Sequence, residues 1–153
     1  AIHFAAEFTG KYNKMERRGL PAICLNINPA MMTAWTNDYS FDTLYERQVE
    51  AFGKPGDVFI AISTGGGSLE PGLSSNVALA AKKALSLGMK VVALVGKTGG
   101  ALKKLADPCI IVKSNSTARI QEAQITLVHM ITELVEEKLF GVQEEKLFDT
   151  QNY

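Results

Sequence analysis

Histidine and cysteine are both scarce in this chain, with two of each among 153 residues. Cys24 and Cys109 lie far apart in strand-like apolar runs and have no metal-type spacing. That pattern excludes a disulfide-stapled scaffold and reads as buried, reduced thiols of a cytoplasmic protein. A net charge of one sign is also missing. Sixteen basic residues balance sixteen acidic ones, so nothing points to nucleic acid or to an acidic membrane surface. No apolar run approaches the roughly 20 residues of a membrane span, and no basic-then-apolar leader is visible. Internal repeats are absent. What remains is 46% hydrophobic and 21% charged, the profile of one globular domain long enough to bury a core.

Both histidines stand in ligand-type pairs. His3 and Glu7 are four residues apart; Gln121 and His129 are eight apart. Each spacing returns to roughly the same helix face, so two helices could bring four polar groups to one site. Each group also has a plain structural reading. A histidine on an apolar helix face is often a hydrogen-bonded core or interface residue. Glu7 alone would be a solvated charge, and Asp38 a helix end or turn.

The apolar pattern predicts alternating strands and helices. Residues 1 to about 18 read as helix, stopped by Gly19 and Pro21. LPAICLNI (20–27), DVFIAIS (57–63), MKVVALVG (89–96) and CIIVKS (109–114) read as buried strands. Helices are expected at 29–37, with Pro29 near the start, at 41–53, at 75–88 with Ser74 or Ser75 as cap, and at 117–140, with a short one inside 97–107. In the second of these, Leu44, Tyr45, Val49 and Phe52 form the apolar side. Residues 141–153 read as a loosely held tail. AIHFAAEF opens as if already inside a helix, so a preceding segment is expected. The fold class is α/β, a three-layer sandwich with a parallel sheet flanked by helices. Such sheets bind ligands beyond the carboxyl ends of their strands.

One of those ends carries ISTGGGS (62–68). Hydroxyls of Ser63, Thr64 and Ser68, with unhindered glycine amides, can surround a phosphate. It is neither a Walker loop nor a dinucleotide fingerprint. A flexible turn is the alternative.

AIHFAAEFTGKY, RRGLPAI, TNDYSFD, RQVEAFGKPGDVFIAIST, SNVALAA, GMKVVALVGKTGG and ARIQEAQITLVH together resemble the sedoheptulose-7-phosphate isomerases, or phosphoheptose isomerases, of the sugar isomerase (SIS) superfamily. The resemblance covers nearly the whole chain in the right order. It implies a flavodoxin-like SIS sandwich that assembles into homotetramers with active sites between subunits. It implies interconversion of sedoheptulose 7-phosphate and D-glycero-D-manno-heptose 7-phosphate, the first step toward the heptose of bacterial lipopolysaccharide or related glycoconjugates. By motif, Glu7 matches the family's base and His129 its acid. His3, Glu7, Gln121 and His129 match the groups that hold zinc where metal is seen. Ser63 and Thr64 match the phosphate loop, and Asp38 an acidic residue near the substrate.

The chain departs from that family in five places. Its N-terminal helix and an NGGSA-type segment are not in the sequence. STSGNS has become STGGGS, so Gly65 replaces a serine. About six extra residues, LEPGLS (69–74), precede SNV, which leaves open whether Ser68 or Ser75 serves the phosphate. Lys11 replaces an arginine, and Gln124 a common histidine. Two other expectations compete with the enzyme. One is a non-catalytic relative that binds the replication initiator DnaA and has lost the catalytic His and Glu. The other is a protein for another phosphosugar, either a sensor, for which no helix-turn-helix is visible, or an isomerase whose altered loop takes a different substrate.

Overall fold

The computed structural model describes residues 1–72 and 74–141. Three apolar runs form strands: β1 (Val58–Ser63), β2 (Lys90–Gly96) and β3 (Cys109–Val112). They pair in parallel in the order β1-β2-β3. Val58 stands opposite Lys90, Ser63 opposite Val95, and Ala93 opposite Cys109. Six helices accompany them: α1 (Ile2–Thr9), α2 (Pro29–Asp38), α3 (Leu44–Phe52), α4 (Ser75–Ser86), α5 (Leu102–Leu105) and α6 (Thr117–Phe140). A 3₁₀ turn at Phe41–Thr43 leads into α3.

Side chains alternate across a strand, and this alternation builds two cores. Ala61, Val91, Ala93 and Val95 face Val49, Ala80, Ala81, Ala84 and Leu102 from α3, α4 and α5. Leu94, with Ile60, Ile62 and Ile110, faces Phe4 and Phe8 of α1 and Val128 of α6. The result is three layers, as the pattern predicts. The alanines of α4 let that helix lie close on the sheet, and small-to-large changes there would overpack it.

Four expectations are corrected. LPAICLNI (20–27) is not a strand; only Cys24 in it is buried, and Ile23 and Ile27 are exposed. A strand needs a neighbour for its N–H and C=O groups, and among the described residues nothing pairs with the outer edge of β1. The first helix ends at Thr9, not near residue 18. There the Thr9 hydroxyl bonds back to the Ala5 carbonyl at 2.9 Å and Gly10 follows, a local competition that disfavours continuation. β3 stops at Val112, and Cys109 is only half-buried. Phe52 is exposed, leaving Leu44 and Val49 buried and Tyr45 partly buried against the core as the apolar contacts of α3. The tail expectation falls, after Gly141, outside the described residues.

Candidate active site

α1 and α6 lie on the same face of the sheet and carry the two polar pairs. The structure brings three of the four groups together. Nε2 of His3 is 3.0 Å from Oε1 of Glu7 and 3.0 Å from Nε2 of His129. Nε2 of His129 is 3.5 Å from the same Glu7 oxygen. The Glu7 side chain is 12% exposed, against 58% for His3 and 41% for His129. Glu7 therefore forms the floor, and the two imidazoles form the mouth.

Gln121 is not placed with them in the same way. It sits exposed two turns before His129, about 12 Å earlier along the helix axis. Asp38 is exposed at the last position of α2.

Three contacts around Glu7 were not visible in the sequence. The buried Thr132 hydroxyl lies 3.2 Å from Glu7 Oε2 and 2.9 Å from the Val128 carbonyl. Tyr12 stacks on His129, with centroids 6.1 Å apart and planes 18° apart. Burial, then the charges of Glu133, Glu7 and Glu136, push the Tyr12 phenol above its ordinary range, so it stays protonated at neutral pH. Arg17 and Glu136 form a buried ion pair beneath α1. Burial of Glu136 opposes its charge. The Arg17 guanidinium and the amides of Lys14 and Asn13 outweigh that and hold its carboxyl below the usual range.

The loop after β1 is fixed rather than slack. Ser63 Oγ accepts from the Gly66 amide at 3.1 Å. The carbonyls of Gly66 and Gly67 accept from the amides of Leu102 and Ala101, each at 3.0 Å. Gly66 has φ +77°, and a Cβ there would fall 1.9 Å from the Gly99 carbonyl oxygen. Only glycine permits this crossing of two loops. Ser63 and Thr64 are half-buried at the loop's start. Ser68 is half-buried and accepts from the Glu70 amide at 3.0 Å, leaving its hydroxyl proton to donate. Ser75 is fully buried, and its hydroxyl donates to the Asp42 carboxylate. Gln124 joins loop and helix. Buried on α6, it donates to the Leu94 carbonyl at 2.9 Å and to the Ser63 carbonyl at 3.3 Å. Five residues separate it from His129, about 7.5 Å of helix rise.

The SIS domain model matches residues 1–96. A phosphoheptose isomerase of Clostridium acetobutylicum is 46% identical over 139 residues, covering 91% of this chain and 67% of that protein. One from Geobacter sp. (strain M21) is 49% identical over 140 residues, covering 92% and 69%. The chain belongs to the phosphoheptose isomerases of the SIS domain family. Solved structures of this family agree with its fold. The Francisella tularensis phosphoheptose isomerase superposes with a TM-score of 0.80 at 34% identity, covering 90% of this chain and 70% of that one. For the isomerase GmhA of Neisseria gonorrhoeae the TM-score is 0.78 at 38% identity, covering 90% and 69%.

The triad fits a metal ion. Ligand atoms bound about 2.0–2.1 Å from a tetrahedral zinc stand roughly 3.3 Å from one another. The three ligand atoms here are separated by 3.0, 3.0 and 3.5 Å. Two imidazoles and a carboxylate are also the donor types zinc prefers.

Proposed function

We propose that this phosphoheptose isomerase converts sedoheptulose 7-phosphate to D-glycero-D-manno-heptose 7-phosphate through an enediol, with Glu7 as base and His129 as acid. The observation that carries the reading is the convergence of His3, Glu7 and His129 from two distant segments onto one point. Aldose–ketose isomerisation moves a proton between adjacent carbons. A carboxylate must take the proton from one carbon while an acid protonates the neighbouring carbonyl oxygen. Reversing these roles on the enediol completes the transfer. Glu7 is suited to the first duty because it is recessed and held by Thr132 at its second oxygen. His129 suits the second because its ring stands at the mouth, braced by Tyr12.

Ser63, Thr64 and Ser68 bind the phosphate in this reading, and Ser75 does not, because its hydroxyl is committed to Asp42. The phosphate serves as a handle whose binding energy positions the reacting carbons. His3, Glu7 and His129 would hold a zinc ion, which when bound supplies a Lewis acid for the substrate carbonyl. Nε2 of His129 serves one duty at a time, since a nitrogen bonded to an ion carries no proton. Gln121 completes the ligand set only from a neighbouring subunit, given its offset of about 12 Å along α6; within its own subunit it is a substrate-side group. That reading goes with a homotetramer whose sites lie between subunits and with a cytoplasmic enzyme. No described helix is long and apolar enough to cross a membrane. Asp38 keeps its place as a residue near the substrate on the resemblance alone.

The test is turnover of sedoheptulose 7-phosphate by the full-length protein, with and without added zinc, beside a metal determination. Glu7→Gln and His129→Ala are expected to lower kcat by a factor on the order of 10² or more while the protein stays folded. If wild type makes no heptose 7-phosphate under either condition, the reading fails. Unchanged turnover in both variants overturns the assigned roles instead.

A further inference from the structure

α1 carries the reactive carboxylate but is thinly packed: of Ile2–Thr9 only Phe4 is buried. Most helical stability in proteins comes from tertiary contacts, so contacts beyond that one side chain must hold the end of α1 in place. The buried ion pair beneath it has the required reach. Arg17 and Glu136 side chains are 1% and 2% exposed. Burying two charges costs more than an apolar pair would, unless every polar atom is answered. Here the atoms are answered, and mostly by the backbone that leaves α1.

Besides the carbonyl of neighbouring Arg18, which accepts from Nη1 at 3.1 Å, the Arg17 guanidinium reaches three targets. Nε donates to Glu136, Nη1 donates to the Phe8 carbonyl at 3.0 Å, and Nη2 donates to the Glu7 carbonyl. Glu136 Oε2 in turn accepts from the amides of Asn13 and Lys14 at 2.8 and 3.0 Å. One ion pair thus grips the end of α1 and the turn that follows it. Glu136 also sits on α6, seven residues beyond His129. The clamp therefore ties the helix of the base to the helix of the acid. We propose that Arg17, locked to Glu136, is a positioning residue that sets Glu7 against His129. This rests on the reading of Glu7 as base.

Lysine cannot replace this arginine. It offers a single point charge where three directions must be served at once. Arg17→Lys should leave the α3–sheet–α4 core intact, since none of its members touches the clamp. A displacement of Glu7 by an ångström is enough to cost on the order of 10- to 100-fold in rate. The expected result is that loss in kcat with KM changed less than about twofold, because only a step after binding is disturbed. A second variant separates positioning from mere support. Arg17→Met combined with Glu136→Leu removes the charges together and keeps the volume, a change that often preserves stability. Its kcat should stay low, because neither side chain donates to the Glu7 and Phe8 carbonyls. Wild-type kcat in either variant overturns the proposal.

Amide exchange supplies a readout that does not depend on turnover. Residues 4–9 should exchange faster in Arg17→Lys than in wild type, with residues 91–95 unchanged. If wild type turns over no substrate, the functional reading falls, and the exchange at 4–9 still decides whether the clamp holds α1. Unchanged exchange there overturns it.

Discussion

Position 65 has room for a side chain and position 66 has none. A Cβ on Gly65 meets nothing within 4 Å, whereas one on Gly66 falls 1.9 Å from the Gly99 carbonyl oxygen, at a φ of +77°. Gly65→Ser should therefore fold with unchanged stability and add a hydroxyl to the phosphate loop, lowering KM for the phosphosugar. Gly66→Ala should cost more than about 1 kcal/mol from the backbone conformation alone and raise KM by displacing the loop from residues 99–102. Thermal midpoints and steady-state kinetics of the two variants check this; equal behaviour would mean the crossing does not fix the loop. The residues that bond through one sequence neighbourhood, such as His3 with Glu7, were legible from spacing. Arg17 and Glu136 were not. They are 119 positions apart, and each by itself looks like an ordinary surface charge.

Among the elements, α6 was readable end to end, yet its buried stripe was not. Every fourth position points inward: Ile120, Gln124, Val128, Thr132 and Glu136. Three of these five are polar, so hydrophobic periodicity could not reveal the face. Each has a task instead: Gln124 for strand-end carbonyls, Thr132 for Glu7, Glu136 for Arg17. The last gives α1 a pH dependence. The Glu136 carboxyl is held below its ordinary value in the folded state. A depressed folded pKa contributes stability that is full above the unfolded value near 4.5 and is lost as pH falls through the folded value. Glu136→Gln leaves Arg17 buried without its counter-charge and should cost about 3–5 kcal/mol at neutral pH. The difference between wild type and variant, followed by urea unfolding, should hold constant down to the ordinary glutamate range and shrink below it. A gap that stays constant through acid pH would mean the pair is not what stabilises this region.

At the scale of the molecule, the sheet was legible in its parallel strands and not in its extent. LPAICLNI has a strand's composition, but composition cannot supply the neighbour a strand needs. Surface chemistry carries the other whole-molecule question. On α6, Met130 and Leu134 lie one turn apart on the side away from the sheet, 52% and 67% exposed, and Ile2 on α1 is 55% exposed. His3 and His129, at the mouth of the site, are also half open. Apolar exposure beside a site is what a partner subunit would cover, and a cover would exclude water from the proton transfer. The proposed tetramer predicts that Leu134→Glu places a charge in that contact, lowers the assembled mass of the full-length protein and reduces kcat, with secondary structure unchanged. Mass photometry and circular dichroism beside the isomerase assay check all three. A Leu134→Glu protein that keeps both its wild-type mass and its turnover would show that this face of α6 is not where the subunits meet.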